Sequence, residues 1–140
     1  IIIVTNSGNE KEAIMRLSRI GFDNCLGYIN IDNKEQVNEY TVPNSIKCIH
    51  PKEFIKSKKN SKILDVRTER EFNEGSYKTA KNIPLNKIYD KMKDVSDQSL
   101  LFCAGGYRSV IACSILMKNG KKDIINVLEG YGGIKKQIES

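Results

Sequence analysis

The sequence predicts an α/β domain in three layers, a central parallel β-sheet flanked by helices. Two observations carry that reading. Short apolar strand-like runs alternate with segments whose apolar residues recur at helical spacing, the pattern of parallel strands joined by crossover helices. The run Ser99-Leu100-Leu101-Phe102 also passes through Cys103 and a turn containing Gly105 and Gly106 directly into a helix-like run, with Val110, Ile111, Ala112, Ile115 and Leu116 along it. The chain has 140 residues, 39% of them hydrophobic and 29% charged, enough for one packed domain of ordinary size with sequence left over.

The elements follow in order. Ile1–Thr5 is β-branched and reads as a buried strand, and Asn6-Ser7-Gly8-Asn9 is turn chemistry. Over Glu10–Ile20, Ala13, Ile14, Leu17 and Ile20 fall at helical spacing, with Gly21 as a C-terminal stop. Cys25–Ile31 reads as a second strand. Residues 32–44 are polar and read as a linker. A fresh start follows with a short strand at Ser45–Ile49, then Pro51 at the first position of a helix through Lys58 with Phe54 and Ile55 inward. Lys62–Val66 is a strand, Glu69–Asn73 a short helix, Lys81–Pro84 an extended segment, and a polar stretch carries Ile88, Tyr89 and Met92. Leu100–Cys103, Tyr107–Asn119, Ile124–Leu128 and Gly133–Glu139 then read as strand, helix, strand and closing helix.

An internal echo links the two ends. The first strand, Gly turn, helix with Ala13 and Leu17, Gly21 and strand ending Gly27-Tyr28 parallel a later unit. That unit is Leu100–Cys103, a Gly turn, a helix with Ala112 and Leu116, Gly120 and a strand leading to Gly130-Tyr131. Thr5 stands where the later copy has Cys103.

Composition excludes several function classes. Net charge is +6, but the lysines are scattered (among them Lys56, Lys58, Lys59, Lys62, Lys118, Lys121, Lys122, Lys135 and Lys136) rather than focused with aromatics on one face. Nucleic acid is therefore not an expected partner. No apolar run approaches the ~20 residues that span a bilayer, so no membrane partner is expected. Four cysteines, Cys25, Cys48, Cys103 and Cys113, show neither CxxC nor metal-ligand spacing, and His50 is the only histidine. Neither a metal nor another cofactor is expected, and reduced thiols fit a cytoplasmic setting. The chain does not begin with Met, which suggests part of a longer protein.

Cys103 is the candidate nucleophile. A thiol at the mouth of a helix N-terminus meets backbone N–H groups and the positive end of the helix dipole, both of which favour an anionic sulfur. The loop Ala104, Gly105, Gly106, Tyr107, Arg108 and Ser109 is the candidate anion cradle, its two glycines free to take positive φ. Arg108 either pairs with an anionic substrate or braces the loop, and Ser109 reads as an N-cap or loop hydrogen-bonder. Asp65 and Arg67 read as supporting residues that tie loops to the sheet with Glu71. Tyr107 and Tyr131 either line the site or pack. Cys113 reads as a buried apolar residue on the helix face of Val110 and Leu116; Cys25 and Cys48 read the same way, and His50 as a loop residue.

Over residues 45–140 the chain resembles a rhodanese (sulfurtransferase) domain. The resemblance rests on Ile63-Leu64-Asp65-Val66-Arg67, Glu71-Phe72 and Gly75, Ala80-Lys81-Asn82-Ile83-Pro84-Leu85, Cys103–Ser109, and Leu128-Glu129-Gly130-Tyr131. It implies an enzyme whose Cys103 takes sulfane sulfur from a small sulfur-containing anion or a low-molecular-weight persulfide and passes it to a thiophilic acceptor. Residues 1–31 would then be a partial, degenerate rhodanese-like repeat. Gly75-Ser76-Tyr77-Lys78-Thr79-Ala80 departs from the family's Gly-His-Ile-x-Gly-Ala. The small loop residues Ala104-Gly105-Gly106 point away from thiosulfate. The loop resembles those of C-terminal domains fused to metallo-β-lactamase-like persulfide dioxygenases, which implies such a fused domain as a partner in the parent chain. Two alternatives remain: a non-catalytic binding or regulatory module, and a phosphatase or arsenate reductase. The latter use a cradle at least one residue longer than Cys103–Arg108.

Overall fold

The computed structural model describes residues 1–33, 45–57 and 62–139. The linker assigned to residues 32–44 lies, from residue 34 on, outside the described residues, as does Lys58 at the end of the helix read from Pro51. The chain divides into two compact units, Ile1–Ser45 and Ile46–Ser140. Among the described residues no helix is long and apolar enough to cross a membrane.

The first unit is β1 (Ile2–Thr5), α1 (Glu10–Ser18) and β2 (Gly27–Asn30), its strands parallel with Ile2 opposite Gly27 and Thr5 opposite Asn30. The expectation of a buried first strand is corrected: only Ile3 is buried, while Ile2 and Val4 are 60% and 63% exposed. Side chains alternate across a strand, and one helix covers one face of a two-stranded sheet. Cys25 precedes β2 and is half-buried.

The second unit carries β3 (Lys47–Ile49), α2 (Pro51–Ser57), β4 (Lys62–Asp65), α3 (Glu69–Asn73), β5 (Lys81–Asn82), β6 (Ser99–Phe102), α4 (Tyr107–Lys118), β7 (Ile125–Val127) and α5 (Gly130–Glu139). Single turns of 3-10 helix occupy Leu85–Lys87 and Met92–Asp94. The five strands form one parallel sheet in the order β3-β7-β6-β4-β5. This is the rhodanese-like α/β fold that the alternating pattern and the resemblance implied.

Strand alternation sorts the core onto two faces. Ile63, Leu100, Phe102 and Val127 pack with Phe54 of α2 and Ile134 of α5, whereas Leu64, Val66, Leu101 and Cys103 pack with Ala112, Cys113 and Leu116 of α4. Both faces are covered, as a parallel sheet requires. Neighbouring strands β4 and β6 send their connections to opposite flanks, to β5 and β7. The crevice above such a divergence, at the carboxyl ends of the strands, is where open α/β sheets place ligand sites. Cys103 follows β6 at this point.

Several local expectations are corrected. Cys48 is exposed on β3, the edge strand of the five-stranded sheet among the described residues. Val110 is partly exposed, so the buried face of α4 is Ser109, Ala112, Cys113 and Leu116. The closing helix starts at Gly130 rather than Gly133. Gly130, Gly132 and Gly133 have poor helix propensity, and a tertiary contact with the cysteine loop sets the start instead.

Candidate active site

Cys103 leaves β6 nearly buried, 1% exposed, and its Sγ is held from the α4 side. The Gly106 N–H donates to Sγ at 3.1 Å, and Ser109 Oγ lies 3.5 Å from it while also donating to the Gly106 carbonyl at 2.9 Å. Gly106 is the N-cap of α4 with φ +104°, a conformation that favours glycine; Gly105 has no positive φ. The N-cap reading of Ser109 is thereby corrected. Ser109 stands inside the first turn, fully buried, and acts as the hydrogen-bonder. Burial pushes the thiol toward its neutral form, but hydrogen bonds from the Ser109 hydroxyl and from the Ser109, Gly106 and Gly105 amides outweigh it, and Cys103 sits below the ordinary cysteine range. Cys113, with burial and no comparable donors, is pushed up to about 12.

The loop amides face the sulfur because the loop carbonyls are engaged elsewhere. Tyr131 N–H donates to the Cys103 carbonyl at 2.6 Å and Gly132 N–H to the Ala104 carbonyl at 3.3 Å. These are unsatisfied N–H groups at the start of α5, and they draw the carbonyls outward. The approach is so close that a Cβ on Gly130 (φ +54°) would lie 2.6 Å from the Ala104 carbonyl oxygen and collide with that of Cys103. Gly130 is a site residue that its sequence context did not single out beyond the family motif.

Arg108 is a brace. Its two terminal nitrogens donate to the two Glu71 carboxylate oxygens at 2.8 and 2.7 Å. Glu71 also accepts from the Thr68 N–H and hydroxyl, closing a capping box at the start of α3. Arg108 and then Thr68 hold the Glu71 carboxyl far below its usual range despite partial burial. Glu71 thus joins the first turns of α3 and α4, and the expectation that it would side with Asp65 and Arg67 is corrected. The Thr68-x-x-Glu71 spacing was the available sequence signal.

Asp65 and Arg67 form a separate bracket. Both are buried, and the Asp65 carboxylate accepts from the Arg67 backbone N–H, Nε and Nη2, the last at 2.7 Å, and from Ser76 Oγ at 2.6 Å. Arg67 also donates to the Gly75 carbonyl and lies 4.3 Å over the ring of Tyr131. Ser76, at the position where the family usually has His, thus anchors its loop to the sheet by a direct bond. Tyr131 packs, stacked on Phe102, while Tyr107 is 85% exposed beside the loop.

The family model described as "Rhodanese-like domain" matches residues 50–137, and the chain belongs to that family. It is similar to the Bacillus subtilis protein YqhL, 32% identical over 88 residues that cover 61% of this chain and 70% of the relative. It is also similar to a mitochondrial protein of Schizosaccharomyces pombe provisionally named a thiosulfate sulfurtransferase. That protein is 33% identical over 84 residues, 49% of this chain and 58% of its own length. Among solved structures, a rhodanese-related protein of Thermoplasma volcanium superposes with a TM-score of 0.61 at 27% identity, covering 65% of this chain and 92% of that one. Family and relatives together support a chain of the sulfurtransferase type.

Proposed function

We propose that this domain transfers sulfane sulfur as a persulfide on Cys103. The carrying observation is the thiol's setting: a sulfur at a helix N-terminus, bonded by the Gly106 amide and the Ser109 hydroxyl, with its ionisation favoured in spite of burial. Two displacements at sulfur follow. The Cys103 thiolate attacks the outer sulfur of a donor, thiosulfate, polysulfide or an organic persulfide; a new S–S bond forms and sulfite, a polysulfide shorter by one sulfur (or hydrosulfide), or a thiolate, respectively, leaves with the electron pair of the broken bond. An acceptor nucleophile then attacks the outer sulfur of the Cys103 persulfide, and the electron pair of the second broken S–S bond returns to Sγ. The loop amides stabilise sulfur anion at both stages, as an oxyanion hole holds developing charge.

Arg108 is engaged by Glu71 through both terminal nitrogens, which supports a bracing role and weighs against an oxyanion clamp of the phosphatase kind. The kinship to domains fused to metallo-β-lactamase-like dioxygenases rests on the Cys103–Ser109 sequence alone, and the degenerate-repeat reading of residues 1–31 rests on the shared strand-helix-strand order. The test is intact-protein mass spectrometry of reduced wild type and Cys103→Ser after incubation with thiosulfate or with glutathione persulfide. One added sulfur on wild type alone is expected. No adduct on a folded wild type would overturn the proposal in favour of a binding or regulatory module.

A further inference from the structure

The first unit repeats the backbone plan around the cysteine loop. Its strands pair Ile2 with Gly27 and Ile3 with Tyr28, where the second unit pairs Leu100 with Ile125 and Leu101 with Asn126. The two crossovers thus span equal lengths of chain. With Thr5 set on Cys103, Gly8 falls on Gly106, and both take positive φ, +88° and +104°. Gly21 and Gly120, at φ +86° and +85°, follow the two helices. Ile3, the buried residue of β1, stands where Leu101 is buried in β6.

Two replacements change the chemistry. In this alignment Glu10 stands where the second loop has Arg108, and Asp32 where the second unit has Gly130. In the second unit the missing Cβ of Gly130 lets the Tyr131 and Gly132 N–H groups reach the loop carbonyls, and the Gly106 amide is left for Sγ. In the first unit the polarity is reversed. The Asn30 side-chain carbonyl accepts from the Asp32 N–H at 2.9 Å, and the Asp32 carboxylate turns onto the loop. It accepts from the Ser7 N–H at 2.8 Å and from Asn6 Nδ2 at 3.2 Å. The Glu10 carboxylate accepts from the Gly8 N–H at 3.1 Å. Ser7 and Gly8 correspond to Gly105 and Gly106, whose amides favour the ionised Cys103 thiol. The donors that serve a sulfur anion in one loop are held by the chain's own carboxylates in the other.

We infer that Thr5–Glu10 is a second cradle of the Cys103 type, shut by Asp32 and Glu10 as built-in anions, so that this loop takes neither a thiolate nor an anionic ligand. An incoming anion meets two fixed negative charges there and must displace carboxylates tethered at high effective concentration. The replacement of cysteine by Thr5 is therefore one of two locks on the loop, and restoring the thiol alone does not reopen it. The inference extends the repeat reading of residues 1–31 by naming what closes the loop. It is independent of the persulfide reading, because its readout is the ionisation of a thiol rather than sulfur transfer.

The test uses the full chain. Thr5→Cys is alkylated with iodoacetamide across pH, and peptide mass mapping reads the rate at position 5 beside that of Cys103 in the same molecules. With both carboxylates in place, the pH–rate curve at position 5 should lie no lower in pH than that of the same thiol in the urea-unfolded chain. Thr5→Cys/Glu10→Arg/Asp32→Gly gives the first loop the second loop's residues at these positions. Its curve should move to lower pH, with alkylation at position 5 about tenfold faster at pH 7, the effect of one hydrogen bond to charge. Thr5→Cys/Glu10→Gln/Asp32→Asn keeps the side-chain shapes and should gain about threefold from the loss of charge alone. Amide NMR spectra show whether the first unit is folded in each variant, and the shape-conserving one decides if the other is not. A curve for Thr5→Cys alone that already lies at low pH, as at Cys103, would overturn the inference, since the amides would then be free to hold an anion. Equal rates at position 5 with and without the carboxylates would overturn it as well.

Discussion

Ser109→Ala isolates what one hydroxyl does for the thiolate. Ser109 Oγ has one hydrogen and two acceptors within reach, the Gly106 carbonyl at 2.9 Å and Cys103 Sγ at 3.5 Å. With a neutral thiol, the carbonyl is the better acceptor. Once the sulfur is anionic, the charge-assisted bond wins and the hydrogen turns toward it. The ionised state therefore gains a hydrogen bond to charge, about 1.5–3 kcal/mol, less the carbonyl bond it gives up, about 0.5–1.5 kcal/mol. The net of about 1 kcal/mol corresponds to roughly a fivefold change in thiolate fraction. Ser109→Ala should then react with iodoacetamide roughly fivefold more slowly near neutral pH, with the whole pH–rate curve displaced to higher pH. The plateau at high pH should be unchanged, because the intrinsic reactivity of the ionised sulfur is little altered. The assay is alkylation rate against pH on wild type and variant, with circular dichroism to show that both are folded. Superposable curves would refute the reasoning and leave the Gly105, Gly106 and Ser109 amides, with the nearby Arg108 charge, to account for the depressed thiol.

Three further outcomes follow from the same contacts. Gly130→Ala places a Cβ against two backbone carbonyls at φ +54°, where neither side can yield; a loss of about 2–4 kcal/mol in urea unfolding is expected, with sulfur transfer lost as the loop shifts. Asp65→Asn leaves Arg67 as a buried charge without its partner and should cost about 3–5 kcal/mol by thermal or urea unfolding. Activity per folded molecule should stay near wild type, and a selective loss of activity would instead give Asp65 a chemical role. Glu71 has a folded value held below its ordinary 4.5, so the unfolded chain binds more protons as pH falls through that range. Its contribution is full above about pH 4.5 and declines below it. Glu71→Gln should therefore be less stable at pH 7, and its stability should fall less steeply between pH 5 and 3, as read from urea midpoints.

Much of the second unit was legible because its signals are local. Lys62–Asp65, Glu69–Asn73, Ser99–Phe102 and Tyr107–Lys118 form where apolar periodicity and cap chemistry place them, within a residue at each end. Cys103 could be singled out because a strand, two glycines and a helix start are contiguous in the chain. What escaped was whatever depends on partners distant in sequence. Glu71 and Arg108 are 37 positions apart, and nothing local says which cation a capping glutamate will meet. The closing helix read as starting at Gly133 begins at Gly130, because the role of that glycine is set by the carbonyls of Cys103 and Ala104 on another segment. Cys48 was misjudged as buried because edge or interior position follows from the strand order, and β3 proves to be the edge.

The cradle works as a division of backbone polarity among three helix starts. At α4 the N–H groups turn inward to Cys103 Sγ. At α5 they turn to the outward carbonyls of Cys103 and Ala104, which keeps those oxygens from opposing the sulfur's charge. At α3 the capping Glu71 fixes Arg108, which secures the first turn of α4. Each helix start supplies donors or charge that an isolated loop would lack, and each acts on the same stretch from Cys103 to Ser109. A thiol that is both buried and anionic needs all of its neighbouring dipoles aligned, because burial by itself pushes it toward the neutral form. Cys103 and Cys113 are both out of solvent; burial, and then Cys48, push the Cys113 thiol up, whereas at Cys103 the hydrogen-bond donors of the loop outweigh burial. The favoured ionisation of Cys103, on which the proposed sulfur transfer rests, is in this sense a property of where three helices begin.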